Sequence, residues 1–368
     1  MQIFDKRVLS HFDYVSLALI LPLIYLSHHL MLEANEILAQ KQLIYFGISL
    51  LAFIVVFIFP IRKFLILVPI LYWLGIGLLF AVELFGITKL GATRWLELPI
   101  INMTIQPSEL FKPIFILMIG WLVSKYKPPE NGYNFGQFLH MSFYILLPFV
   151  LIAKEPDLGT ALVLLLVGYG ILFIMGVNWK IWTGIILVLA VSSPLTYTYL
   201  IKDYQKKRIS DFISKDPSYH VQQSIIAIGA GGLTGQDESQ ATQTKLKFLP
   251  IATSDFIFAF LVERYGFIAA LGLILLYLFL ILHLLSLNHF FKDDPILQVF
   301  SAGIGLLIFL DMAVNILMVI GFAPVVGLPL PMFSYGGSSF INFIVLFAIL
   351  QNLITFRFKD GYEFDRKL

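Results

Sequence analysis

Ala241-Thr-Gln-Thr-Lys-Leu-Lys-Phe-Leu-Pro250-Ile-Ala-Thr-Ser-Asp255-Phe-Ile-Phe-Ala-Phe-Leu-Val-Glu-Arg-Tyr-Gly266 begins polar, passes a breaker at Pro250 and becomes a long apolar helix pattern at Phe256. Followed to residue 287, the apolar part exceeds the roughly 20 residues that cross a bilayer. A polar loop therefore runs straight into a membrane helix. Asp255 stands on the boundary, where a carboxylate meets water and lipid headgroups. Ser254 and Asp255 also suit the first positions of a helix, whose free N–H groups favour an anion. On this stretch alone Asp255 reads either as a helix cap or as a site residue.

The remainder of the chain agrees with a membrane setting. Of its 368 residues, 59% are hydrophobic and only 13% charged, about half the charge of an average soluble domain. Apolar runs recur near 14–33, 43–61, 64–86, 107–124, 138–152, 158–177, 180–200, 255–287, 296–320 and 336–356, about ten spans. The expectation is an all-α polytopic membrane protein, one integral domain over 1–368 with a large extracytoplasmic loop at about 201–254. The run at 138–152 is short, and losing it would leave nine spans with the termini on opposite faces. Met1-Gln-Ile-Phe-Asp-Lys-Arg7 enters the first run without a small-residue cleavage site, so that run reads as retained.

Basic residues set the orientation. With ten spans, Lys6, Arg7, Arg62, Lys63, Lys125, Lys127, Lys180, Lys292, Arg357, Lys359, Arg366 and Lys367 gather on the side of the two termini, against Lys41, Lys89, Arg94 and Lys154 in the short loops opposite. Positive residues mark the cytoplasmic side. Both termini are therefore expected there, and the loops 87–106 and 202–254 are expected outside. The net charge of +2 indicates no partner. The absence of cysteine excludes disulfides and thiolate sites. The histidines lack metal-ligand spacing, and no nucleotide loop, nucleophile elbow or nucleic-acid motif is present.

Ionisable residues within the spans are costly and mark pathways or structural pairs. Gln106-Pro-Ser-Glu-Leu-Phe-Lys112 opens one span and places Glu109 and Lys112 on one helix face. Lys154-Glu-Pro-Asp157-Leu-Gly-Thr160 opens another. With Asp255, three helices bring carboxylates to one depth on the outer side. An ion pair such as Lys112 with Asp157, locking two helices together, is the structural alternative to a reaction site. The large loop opens with Lys202, Lys206, Lys207 and Arg208, then gives the glycine-studded apolar stretch Gln222–Gly235. That stretch is too short to span; it is either an interfacial segment or a flexible loop. After Asn315, the run from Pro324 to Ser338 forces irregular backbone at membrane depth. Gly336, Gly337 and Ser338 present N–H groups at a helix start, an anion site or a tight turn.

Taken together, Gly91-Ala-Thr-Arg-Trp95, Gln106–Lys112, Glu155–Thr160, Gln223–Gly232, Ser254-Asp-Phe-Ile-Phe258 and Gly327–Ser338 resemble the SEDS family (shape, elongation, division and sporulation), most closely its elongation branch. They recur in family order over most of the chain. The resemblance implies a peptidoglycan glycosyltransferase of the bacterial cytoplasmic membrane that polymerises lipid II beside a class B penicillin-binding protein and other elongation-complex membrane proteins. It places the family's essential aspartate on Asp255 and its intramembrane acidic and lysine positions on Glu109, Lys112 and Asp157. Pro250-Ile251 stands where the family has Pro-Glu, and Gly235–Gln240 replaces a glycine-lysine-glycine stretch, so any role of those missing side chains is in doubt.

Asp255 is thus the expected general base. Substrate-binding or supporting roles are expected of Arg94, Glu109, Lys112, Asp157, Lys206, Lys207, Arg208, Gln223, Ser224, Ser334, Gly336, Gly337 and Ser338. Cations among them would offset the pyrophosphate, with or without a divalent ion such as Mg2+ or Mn2+. A lipid II flippase and a non-catalytic scaffold for the transpeptidase are the rival functions.

Overall fold

The computed structural model describes residues 8, 10–89, 92–98, 103–195, 198, 206, 210, 212, 218–237, 241 and 253–357. The helices are α1 (Tyr14–Ala34), α2 (Glu36–Ile58), α3 (Val68–Phe85), α4 (Pro107–Lys125), α5 (Phe135–Lys154), α6 (Leu158–Met175), α7 (Trp179–Leu195), α8 (Tyr219–Gly231), α9 (Ile257–Phe290), α10 (Pro295–Val319) and α11 (Gly337–Thr355). Among the described residues nine helices are long and apolar enough to cross a membrane, counting α3 with the 3-10 turn Ile61–Leu67 before it. At 17 residues α7 makes a tenth apolar helix. The chain is a multi-pass, all-α membrane protein.

The ten apolar helices fall on the ten expected runs, but the short one is α7 instead of the fifth. Asn134 starts α5 early with a capping box, its side chain accepting from Gln137 N while Gln137 returns the bond. That adds a turn before the apolar run and brings α5 to 20 residues.

Burial separates centre from rim. Helix α4 is the most enclosed, with Ser108, Glu109, Phe111 and Lys112 among its buried residues, and α10 packs along it. Helices α9, α6 and α11 also pack on α10, while α2 and α3 show Ile44, Leu51, Leu74 and Phe85 outward. Such faces suit lipid tails, which are as apolar as the side chains they meet.

The glycine-studded stretch folds as α8 and its following turn, not as a flexible loop. It docks on α9, which breaks at Gly266, where φ is +73° and ψ is −173°. Backbone freed at membrane depth needs new partners. Phe267 N donates to Gly232 O at 2.9 Å, Ile268 N to Leu233 O at 3.2 Å and Gln236 N to Glu263 O at 2.9 Å. These bonds demand backbone-to-backbone approach, which is why the sequence is glycine here. A Cβ on Gly266 would lie 2.4 Å from Gly235 N and Leu233 O. Gly266→Ala therefore combines a glycine-only conformation with a backbone collision, and should cost about 3 kcal/mol. Gly272→Ala, on the same helix with open space around it, should be neutral or stabilising. Thermal melts of the two variants in detergent test the break.

Residues 87–106 hold a sheet that the sequence reading took for a loop. Strands β1 (Ile87–Lys89), β2 (Ala92–Leu98) and β3 (Met103–Ile105) pair antiparallel in the order β1-β2-β3. Thr88 faces Thr93, Leu96 faces Ile105 and Glu97 faces Thr104. β-Branched residues suit such a surface. The sheet packs on the ends of α3 and α4 and places Arg94 over the bundle.

Candidate active site

Asp255 lies in the turn Thr253–Phe256 that leads into α9, half-buried, at the end of the bundle carrying the sheet. Three successive backbone carbonyls hold this turn. Thr253 O accepts from Tyr335 N at 2.9 Å, Ser254 O from Ser334 Oγ at 2.7 Å and Asp255 O from Asn315 Nδ2 at 2.8 Å. The partners come from α10 and from the irregular segment 324–336, so that segment is a cradle for the turn. Gly327 takes a left-handed conformation, φ +69°, beside the carboxylate: a Cβ built there would lie at ordinary contact distance, 3.5 Å, from Asp255 Oδ2. Burial raises the Asp255 carboxyl above its ordinary value, while the Ser254 hydroxyl and the Arg94 guanidinium pull it down.

Arg94 reaches from β2 to Asp157, Nη1 to Oδ1 at 3.3 Å, and its guanidinium lies 5.1 Å from the Trp95 ring centre. Asp157 caps α6 through Thr160 N at 3.3 Å and accepts from Gln106 Nε2 at 2.9 Å. Arg94 thus pairs with Asp157 and also acts electrostatically on Asp255 and Glu155.

Lys112 does not pair with Asp157, which corrects the expectation from sequence. Its ammonium contacts Glu109 Oε1 at 2.7 Å, one turn away, and Asp311 Oδ2 at 3.8 Å on α10, and lies 5.9 Å from the Phe343 ring centre. Asp157 is taken by Arg94, and the carboxylate closing the Lys112 site is one the sequence reading passed over. Its signal was present: a lone acid in the apolar run Ile308-Phe-Leu-Asp311-Met is costly unless paired. Glu109 Oε2 and Asp311 Oδ1 are buried without a hydrogen-bond partner.

Glu155 is the other residue that sequence reasoning used only as part of a motif. It follows α5, and both its carboxyl oxygens are buried without a partner. Burial, reinforced by the Asp157 charge and opposed by Arg94, pushes its carboxyl up to about 8. A carboxyl raised in the folded state gives stability that is full below its unfolded value of 4.5 and is lost as pH rises toward 8. Glu155→Gln should flatten that dependence and melt later than wild type above pH 8, by about 2–4 kcal/mol. Melting points taken between pH 5 and 9 check this; parallel curves for the two proteins would refute it.

The other expected positions separate. Ser224 Oγ donates to Val319 O at 2.7 Å, fastening α8 to the end of α10. Gln223 is half-buried on α8, and Lys206 Nζ donates to Thr198 O at 3.2 Å. Lys207 and Arg208 lie outside the described residues. Gly337 lies under the Tyr45 ring, where a Cβ would come within 2.5 Å, so glycine there serves close packing of α11 on α2. Gly336 is the N-cap of α11, without a side-chain cap, and Ser338 is exposed beside it.

The profile of the FtsW, RodA and SpoVE cell cycle proteins matches residues 3–359. The chain belongs to that family. It is similar to the peptidoglycan glycosyltransferase MrdB of Helicobacter pylori (strain ATCC 700392 / 26695), 49% identical over 98% of this chain and 94% of that one. It also resembles MrdB of Escherichia coli (strain K12), 38% identical over 78% of each chain. Among solved structures, a chain from work on the structural coordination of polymerization and crosslinking by a peptidoglycan synthase complex superposes with TM-score 0.83 at 25% identity, covering 95% of this chain and 99% of that one. Thermus thermophilus rod shape determining protein RodA superposes with TM-score 0.71 at 23% identity over 94% of this chain and 98% of that one, which supports the fold. In this chain the pinned turn of Asp255 and the Arg94–Asp157 pair share one end of the bundle.

Proposed function

We infer that this chain is a peptidoglycan glycosyltransferase of the bacterial cytoplasmic membrane, extending glycan strands from lipid II during cell-wall elongation. The observation that carries the reading is Asp255: a half-buried carboxylate on a turn pinned at three carbonyls, within the field of an arginine. Asp255 takes the proton from the acceptor's GlcNAc 4-hydroxyl as that oxygen attacks the donor's MurNAc anomeric carbon. The glycosidic bond forms while the bond to undecaprenyl pyrophosphate breaks, and the donor's α-link becomes a β-1,4 bond. Pyrophosphate leaves without a general acid once its charge is offset. Arg94 is the described cation nearest this task, and lysines and Arg208 of the outer loop are further candidates. A divalent cation such as Mg2+ would act in the same sense by neutralising phosphate oxygens.

Both termini lie in the cytoplasm in this reading, and the Asp255 end faces outward, where the donor's sugar is. A class B penicillin-binding protein supplies the crosslinking partner. The likeness to a chain of a peptidoglycan synthase complex supports that pairing.

The test is product formation from purified protein, lipid II and the partner, with and without a divalent cation, read as glycan ladders on a gel. Ladders establish the polymerase. Their absence under all these conditions, together with transbilayer movement of lipid II in vesicles, would replace it with a flippase. Partner binding with neither activity would leave a scaffold.

A further inference from the structure

The amide of Asn315 joins the two walls of the Asp255 site. Asn315 sits on α10, fully buried. Its Nδ2 carries two hydrogens, and the structure uses both: one on Asp255 O at 2.8 Å, the other on Leu328 O at 2.7 Å. Both partners are carbonyls, so this end of the side chain must be the donor. Leu328 directly follows Gly327, on which a built Cβ would be 3.5 Å from Asp255 Oδ2. Tyr335 N and Ser334 Oγ tie Thr253 and Ser254 to the same strip, but at Asp255 itself the tie between the turn and the strip is this one NH2 group.

The rest of the cradle is anchored independently. Tyr277 Oη donates to Pro331 O at 2.6 Å, and Ser27 Oγ to Phe333 O at 2.6 Å. Removing Asn315 would thus leave the cradle in place and loosen the turn within it. The amide oxygen of Asn315 is buried without a partner, an unfavourable arrangement that each such atom asks to be explained. A group selected only to hold helices together would serve better with both ends paired. A two-donor bridge between two carbonyls explains why the unpaired oxygen is tolerated.

We propose that Asn315 is a positioning residue for the glycosyl transfer, fixing the direction in which the Asp255 carboxylate faces the acceptor hydroxyl. The proposal rests on Asp255 being the general base. It predicts an effect on the chemical step rather than on lipid binding, because misplacing a catalytic group by about 1 Å can cost 10²-fold in rate.

The experiment compares wild type, Asn315→Ala, Asn315→Ser and Asp255→Ala as full chains with the class B partner, measuring lipid II turnover against substrate concentration and pH. For Asn315→Ala we expect kcat to fall roughly 10- to 100-fold with KM within about twofold, the pattern of an interaction needed only in the transition state. Asn315→Ser, which keeps one donor, should fall between. A loosened turn lets water reach the carboxyl, so the acid limb of the rate profile should move to lower pH in Asn315→Ala. A merely structural role lowers the amplitude and leaves the limb where it was. That result, or wild-type kcat in both Asn315 variants beside a dead Asp255→Ala, would overturn the proposal. An active Asp255→Ala would instead remove the base assignment on which it stands.

Discussion

Asp255→Ala is expected to remove glycan polymerisation while leaving a folded protein. General-base catalysis contributes on the order of 10²- to 10⁴-fold, so ladders from lipid II should vanish at ordinary enzyme concentrations. Folding should survive for two reasons. The carboxylate is half-buried and raised by desolvation, so its loss removes an unfavourable group. The turn is held through backbone carbonyls that alanine retains. The melting point should therefore stay within about 1 kcal/mol of wild type. Asp255→Asn, matched in size, should be equally inactive, which separates proton acceptance from shape. In wild type the rate should rise with pH as Asp255 ionises, with a midpoint above that of an ordinary aspartate. Ladders from a folded Asp255→Ala at the wild-type rate would exclude Asp255 as the base.

Membrane architecture was legible because its signal is local. A run of about 20 apolar residues can satisfy its own backbone only as a helix, and ten such runs appear as ten helices. Asp255 was legible for the same reason, standing where a polar loop meets an apolar run. Partnerships between distant residues were not. Lys112 and Asp157 looked like a pair because each opens a span, but the sheet that brings Arg94 to Asp157 depends on short strands with no strong turn signal. Asp311 and Asn315 lie one turn apart inside an apolar helix, where local periodicity says only that the helix continues. Their partners, Lys112 and Asp255, come from α4 and from the turn before α9, and only the packing of α10 between them shows what each polar side chain is for. The stretch Gln222–Gly235 read as an interfacial segment or a flexible loop, and its bonds to the break at Gly266 rule out the loop.

Lys112→Met is the change expected to harm stability most. It keeps the length and the apolar stem of the side chain but removes the ammonium that Glu109 and Asp311 share. Lys112 and Asp311 are each almost wholly buried, so the carboxylates cannot turn to water. Breaking a buried pair by removing one partner costs about 3–5 kcal/mol, whereas replacing the whole group by neutral residues is often near neutral. Lys112→Met alone should therefore melt far below wild type. Adding Glu109→Gln and Asp311→Asn should recover most of the loss, because no buried charge then lacks a partner. The non-additivity is the diagnostic, since residues in one ion-pair network couple while independent sites add. If the three changes simply summed, the contacts would carry no shared energy and Lys112 would be acting through packing on Phe343. Activity gives a second reading of the same variants. The charged group ties α4 to α10, and α10 carries Asn315 one turn beyond Asp311, so a stable neutral triple variant tests whether this tether is needed for turnover or only for folding. Near wild-type kcat in the triple variant would make the three charges a structural lock; a fall in kcat at unchanged stability would show that the tether from α4 to Asp311 on α10 reaches the base.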